Sequence, residues 1–193
     1  IHLTATEKKY SKLNAYDKPV VMFGVLGSTP QKSMPYKYIV ALIDYVTTHF
    51  EVYILFNYAP NQKEEATKIY NACKHQDAII FDVYEASIRG FIALMNQCQL
   101  LIANEGGIVH IAKALDKPTF TIFSPYVIKS HWASFEDGQL HTSVHLLDQN
   151  PDLFSTSRED RKKIEENPSF FYEQLTPELI LEKLSPFLRH HIQ

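Results

Sequence analysis

The chain has little of what would reveal its chemistry directly. Two cysteines, Cys73 and Cys98, in 193 residues are too few for a disulfide framework and fit a reducing compartment. No apolar run approaches the ~18 residues of a membrane span, and the first ten residues contain no apolar signal core. A net charge of −3, with lysines and acids interspersed, supplies no field for nucleic acid or a membrane surface. The nine histidines form no His-Glu-x-x-His pair and there is no Cys-x-x-Cys, so no metal site is expected. The absence of a Gly-x-Ser-x-Gly elbow argues against a serine hydrolase, and the absence of Gly-x-Gly-x-x-Gly after the first strand argues against a dinucleotide oxidoreductase. Glycine is scarce as well, yet two of the six stand side by side as Gly106-Gly107.

What is present is alternation. Residues 19–26 are a continuous run of β-formers, the pattern of a strand covered on both faces. Residues 27–35 are loop, and over 36–50 the positions Ile39, Leu42, Ile43, Val46 and Phe50 share one helical face. The pattern repeats as strand 52–56, helix 61–73, strand 78–81 and helix 87–97, then a strand from Leu100, a polar corner, a helix and strand 118–123. Short apolar strands separated by such helices imply an α/β fold, a Rossmann-like parallel sheet with helices on both faces. A short polar helix is expected over 6–16, a last strand over 143–147, a helix starting near Ser157, and an amphipathic helix over 177–190 carrying Leu179, Ile180, Leu184 and Leu188. The expected division is a leading helix or linker (1–18), one domain (19–150) and a helical tail (151–193).

In open parallel sheets, ligands bind beyond the carboxyl ends of the strands. Two loops there are polar in a suggestive way. Gly27-Ser28-Thr29-Pro30-Gln31-Lys32 follows the first strand and offers backbone, hydroxyls and a cation for an oxyanion; taken alone it reads equally as a surface turn. Asn104-Glu105-Gly106-Gly107 opens a helix, where free backbone N–H groups favour anions and Glu105 could accept from sugar hydroxyls. His110 lies in the first turn of that helix. The plain alternative is an Asn104 cap, glycines for close packing and a half-buried structural histidine. Trp132, the single tryptophan, is either a ligand cover or a packing anchor.

Together the two loops resemble the C-terminal half of glycosyltransferase family 9, the ADP-heptose:lipopolysaccharide heptosyltransferases. That family follows a strand with a Gly-Ser/Thr loop ending in Lys-x-Trp-Pro; here Gly27-Ser28-Thr29 precedes Lys32-Ser33-Met34-Pro35, with Met34 in place of tryptophan. Its second signature, Asn-Asp-Thr/Ser-Gly-x-x-His-x-Ala-x-Ala-Leu, is matched by Asn104 through Leu115, with Glu105 and Gly106 as departures. The resemblance spans roughly residues 20–132. It implies one half of a GT-B fold, the half that binds the nucleotide sugar.

By that resemblance Lys32, with Ser28 and Thr29, would hold the donor diphosphate and stabilise it as it leaves. Asn104, Glu105, Gly106, Gly107 and His110 would line the phosphate and sugar end. Glu64, or its neighbour Glu65, falls where the family places an acid on the ribose. The implied reaction is inverting transfer of a heptose-like sugar, without metal or other cofactor, from ADP-heptose to a bacterial lipopolysaccharide core acceptor. The chain begins without Met, and family members are about twice its length. The acceptor domain and the general base are therefore expected upstream of Ile1, and this chain alone is expected to bind donor without transferring it. The apolar face of the last helix, which packs on the other half in GT-B enzymes, is expected to be partly uncovered. The complete protein is expected to be cytoplasmic, with peripheral association at the inner membrane left open. The alternative is a GT-B-like nucleotide-sugar binding module that has lost catalysis.

Overall fold

In a computed structural model of the chain, all residues are described except Pro30, Gln31, Tyr126, Thr156 and Gln193. The first two belong to the loop singled out above, whose remaining residues are described. Helix α1 (Ala5–Lys8) precedes strand β1 (Val20–Gly24), α2 (Tyr36–His49), β2 (Tyr53–Asn57), α3 (Lys63–Ala72), β3 (Ile79–Ile80) and α4 (Ile88–Gln97). Then follow β4 (Leu100–Asn104), α5 (Gly107–Lys113), β5 (Thr119–Ile122), α6 (Lys129–Trp132), β6 (His141–Val144), α7 (Leu146–Gln149), α8 (Arg158–Glu166), α9 (Pro168–Gln174) and α10 (Pro177–His191).

The six strands form one sheet in the order β3-β2-β1-β4-β5-β6, and every neighbouring pair is parallel. Side chains alternate across a strand, so β1 sends Val21 and Phe23 into one core and Val20 and Met22 into the other. The first core is closed by α2, α3 and α10, through Ile39, Leu42, Ile69, Ile180 and Leu184. The second is closed by α4 and α5, through Leu94, Met95, Val109 and Ala112. Continuous apolar strands follow directly from this double coverage.

Strand order reverses between β1 and β4, because β1 continues through α2 on one face while β4 continues through α5 on the other. The two strands run level, with Gly24 opposite Ala103. Their loops therefore leave the sheet together at the switch point, where doubly wound sheets open a crevice.

Three expectations need correction. The N-terminal helix covers only Ala5–Lys8, started by a capping box between Thr4 and Glu7. The chain then proceeds through turns, and Leu13 is buried on the second core. The last strand is His141–Val144 rather than 143–147, because His145 caps α7, its ring Nδ1 accepting from the Leu147 N–H at 3.1 Å. The strand begins early because the Asp137 carboxylate accepts the N–H groups of Gln139 and His141. Finally, most of the apolar face of α10 is covered: Ile180, Leu184 and Leu188 are fully buried in the first core, while Leu179 is half-buried.

Helix α10 is thereby part of the domain's own core. Leu184→Ala should cost about 2–5 kcal/mol of unfolding free energy, read by urea denaturation; a loss below about 1 kcal/mol would mark the helix as an appendage.

Candidate functional site

The loop after β1 is folded back on itself. A Cβ built on Gly27 would lie 2.2 Å from the Lys32 carbonyl oxygen, so this contact admits glycine alone. Ser33 Oγ accepts the Gly27 N–H at 3.0 Å and donates to the Thr29 carbonyl at 3.0 Å, while the Lys32 N–H reaches the same carbonyl. Gln62, in the 3-10 turn before α3, donates to the Gly27 carbonyl at 2.8 Å and accepts from the Ala59 N–H at 2.9 Å. The loops after β1 and β2 are thus tied together. Met34 anchors the end of the first loop in the core beneath it.

At the corner after β4, Asn104 Nδ2 donates to the Ile122 carbonyl at 3.1 Å and to the Tyr172 hydroxyl. Asn104 is therefore a tie between β4, β5 and α9 rather than a side-chain cap of α5, which has none. Glu105 is 6% exposed. Its Oε2 accepts the Ser124 N–H at 3.0 Å, and its Oε1 lies 3.7 Å from Lys32 Nζ, too far for a hydrogen bond. Burial raises the Glu105 pKa, opposed by the Ser124 N–H and the Lys32 charge. The Lys32 ammonium stands 5.3 Å from the Trp132 ring centroid, within cation–π range. That ring in turn faces the His110 imidazole at 6.4 Å.

Lys32, Glu105, Trp132 and His110 are consequently one cluster drawn from the loop after β1, the corner after β4, α5 and α6. The chain just after Trp132 is tied to α5: buried Lys113 donates to the Ser134 carbonyl at 2.7 Å and to Glu136 at 2.6 Å. The Gly106-Gly107 pair has a different character. A Cβ built on either meets nothing within 4 Å, so neither serves close packing.

Two cavities share Leu26, Ser28, Asn61 and Gln62 in their walls. The smaller, about 300 Å³, is lined by Ser28, Asn104, Glu105, Gly106 and Gly107, with Asn57 and Tyr58 opposite. The larger, about 510 Å³, takes Thr29, Tyr36, Glu65 and Tyr172. Lys32 and His110 line neither; Lys32 meets the smaller cavity through Glu105, and His110 is joined to Lys32 only through the Trp132 ring.

The sequence profile of glycosyltransferase family 9 (heptosyltransferase) matches residues 1–185. The chain belongs to glycosyltransferase family 9. No curated protein sequence matches it, but solved structures do. A family 9 glycosyltransferase from Veillonella parvula superposes with a TM-score of 0.77 at 14% identity, over 98% of this chain and 53% of that one. The ADP-heptose lipopolysaccharide heptosyltransferase II of E. coli gives 0.68 at 17% identity, with 98% and 53% covered. The E. coli heptosyltransferase WaaC with ADP-2-deoxy-2-fluoro heptose gives 0.60 at 15% identity, with 89% and 44% covered. The chain thus spans about half the length of these structures, and at such identities they share its fold.

Within this family 9 domain, the structure brings Ser28, Thr29, Lys32, Asn104, Glu105, Gly106, Gly107 and His110 to the same end of the sheet. Glu64 stands apart: its carboxylate is 80% exposed and paired with Lys68 one helical turn on, at 2.9 Å. Its neighbour Glu65 lines the larger cavity instead. Gln62, Asn57, Tyr58 and Tyr172 are wall residues that sequence reasoning did not single out. Asn57 carries a usable signal, a polar residue ending an otherwise apolar strand. Among the described residues, no group of three or more His, Cys, Asp or Glu side chains is arranged to hold a metal ion.

The raised pKa of Glu105 has a thermodynamic signature. As pH rises from its ordinary value of 4.5, the unfolded chain releases this proton while the folded state still holds it. Stability then falls until the folded-state pKa has been passed. Glu105→Gln lacks this term. Urea denaturation over a pH series should show wild type losing ground to the variant across that interval; a difference independent of pH would mean that Ser124 and Lys32 fully offset the burial.

Proposed function

We propose that this chain is the donor-binding domain of an inverting, metal-independent glycosyltransferase that transfers a heptose-like sugar from a nucleotide diphosphate to a lipopolysaccharide core acceptor. The observation that carries it is the Lys32–Glu105 pair. It joins the loop after β1 to the corner after β4 at the switch point, in a chain of this family. ADP-heptose is the proposed donor, in keeping with the heptose nucleotide bound to E. coli WaaC.

On this reading, negative charge builds on the diphosphate as the anomeric bond breaks. Lys32, the hydroxyls of Ser28 and Thr29 and the backbone N–H groups at Gly106-Gly107 are fixed in advance to receive it. Such preorganised donors stabilise the transition state without reorganising during the reaction. Glu105 holds Lys32 in register and presents Oε1 towards the sugar end; His110 flanks it. Glu65 takes the ribose in place of Glu64. The donor domain proposed over residues 19–150 is completed by the tail from 151, whose α10 closes one core and whose α9 contributes Tyr172 to the cavity wall. The acceptor site and the base that deprotonates the acceptor hydroxyl belong to the remainder of the protein. Its proposed place is the cytoplasm, at the inner face of the membrane. Among the described residues, no helix is long and apolar enough to cross one.

Calorimetric titration of the folded chain with ADP, UDP, GDP and ADP-heptose tests the reading. Binding of the adenine nucleotides is expected, weakened by Lys32→Ala. Because Trp132 is the single tryptophan and faces Lys32, its fluorescence should change on saturation. In the complete protein, Lys32→Ala should lower turnover by ~10²–10³. A folded chain that binds none of the four ligands, or near wild-type transfer by the variant, would sink the assignment; donor binding with no transfer by the complete protein would leave the binding-module alternative.

A further inference from the structure

A third cavity, of about 200 Å³, lies beyond β5 and β6, between the segment leading into α6 and helix α8. Its walls are largely apolar, from Val127, Ile128, Leu147, Phe154 and Ile164. Two nitrogen donors in the same walls have no partner among the described residues: His145 Nε2 and Arg161 Nε, both buried. His145 is 2% exposed. Because its Nδ1 accepts the Leu147 N–H, the neutral ring carries its proton on Nε2. Burial lowers the His145 pKa, which keeps the ring neutral at pH 7. The carbonyls of Ser124 and Val127 lie near the ring without meeting Nε2 in hydrogen-bonding geometry.

The carboxylates nearby are already engaged. Asp148, in the cavity wall, accepts from Lys129 through both oxygens and from Lys183. Asp160, next to Arg161, accepts from Ser155 and Lys163. Among the described residues no carboxylate pairs with Arg161. A buried polar group without a partner is destabilising, more so when charged, so two in one cavity point to a missing acceptor.

We propose that this cavity is a binding site for a small organic carboxylate with an apolar or aromatic body, whose oxygens accept from His145 Nε2 and Arg161. The space would hold about seven waters at ~30 Å³ each, or one such molecule. The apolar share of the walls would receive the molecule's body and the two donors its oxygens, with Lys129, Ser130, Asp148 and Ser155 completing the lining. The site is separate from the donor cavities, sharing no wall residue with them.

Benzoate is a suitable probe, titrated calorimetrically into the full chain at pH 7, with benzamide as its neutral counterpart and inorganic phosphate as an anion without an apolar body. Saturable one-to-one binding of benzoate is expected, with benzamide and phosphate much weaker. Loss of one charge-assisted bond in Arg161→Gln should weaken benzoate about 10- to 100-fold, with the variant's fold checked by circular dichroism. Lys32→Ala should leave benzoate affinity unchanged. The proposal is overturned if benzoate does not saturate, which would leave a water-filled cavity, or if benzamide or phosphate binds equally well. Unaltered affinity in Arg161→Gln would also overturn it, as would loss of binding in Lys32→Ala, which would place benzoate in the donor cavities.

Discussion

The site depends on how closely β1 and β4 approach at their carboxyl ends. A Cβ built on Gly24 would lie 2.9 Å from Ala103 Cβ and 3.1 Å from Ile108, so a larger residue at either strand position would force the pair apart. Level strands whose following helices go to opposite faces must send their loops in diverging directions. The crevice between them is a product of topology, before any polar side chain is considered. Gly27 adds the second condition. By allowing the Lys32 carbonyl into contact distance, it turns the loop back so that the lysine reaches the corner after β4 instead of trailing into solvent.

That return brings a cation to a carboxylate that would otherwise be expensive. A carboxylate withdrawn from water tends to take up a proton. Glu105 is held between that tendency and two opposing partners, the Ser124 N–H just beyond the end of β5 and Lys32 across the crevice. The lysine stands against the Trp132 ring, and the chain just after that ring is tied to α5 by the buried Lys113. The electrostatics of the crevice therefore reach into the segment after β5. The same segment leads to the cavity holding His145 and Arg161, so the two sites share a wall element while keeping separate linings.

Much of this was legible in the residues. Apolar strands such as Val20–Gly24 and Leu100–Asn104 announce themselves because they are covered on both faces, and the helical spacing of Ile39, Leu42, Ile43 and Val46 matches their common burial. The corner loops could be found because doubly wound sheets use those positions. What escaped depends on contacts distant in sequence. Burial of the α10 face is settled by its packing on α2, β5 and β6, which no local pattern encodes. The end of β6 turned on a histidine ring acting as a helix cap. The choice of Glu65 over Glu64 is a matter of one residue on a helix, about 100° of rotation, and a charged pair read without its helix phase gives no preference. Asn104 looked like a cap from its place before a helix; its amide is instead drawn to Tyr172, 68 residues later.

The Gly106-Gly107 pair can now be weighed between its two readings. Glycines kept for packing sit against neighbours, as Gly24 and Gly27 do. At Gly106 and Gly107 the built Cβ atoms meet no neighbour within 4 Å, so the pair leaves space open at the mouth of α5 rather than filling a tight contact. In a donor-binding domain that space is where a diphosphate would approach the backbone. The family's hydroxyl is missing at position 106, and the compensation of charge then falls on backbone N–H groups and on Lys32. Discrimination among sugars would shift to groups that project side chains into the crevice, chiefly Glu105, and to residues the acceptor half supplies. On the proposed function, the double glycine would leave the floor of the pocket permissive, and the Lys32–Glu105 pair would be the feature that sets what binds.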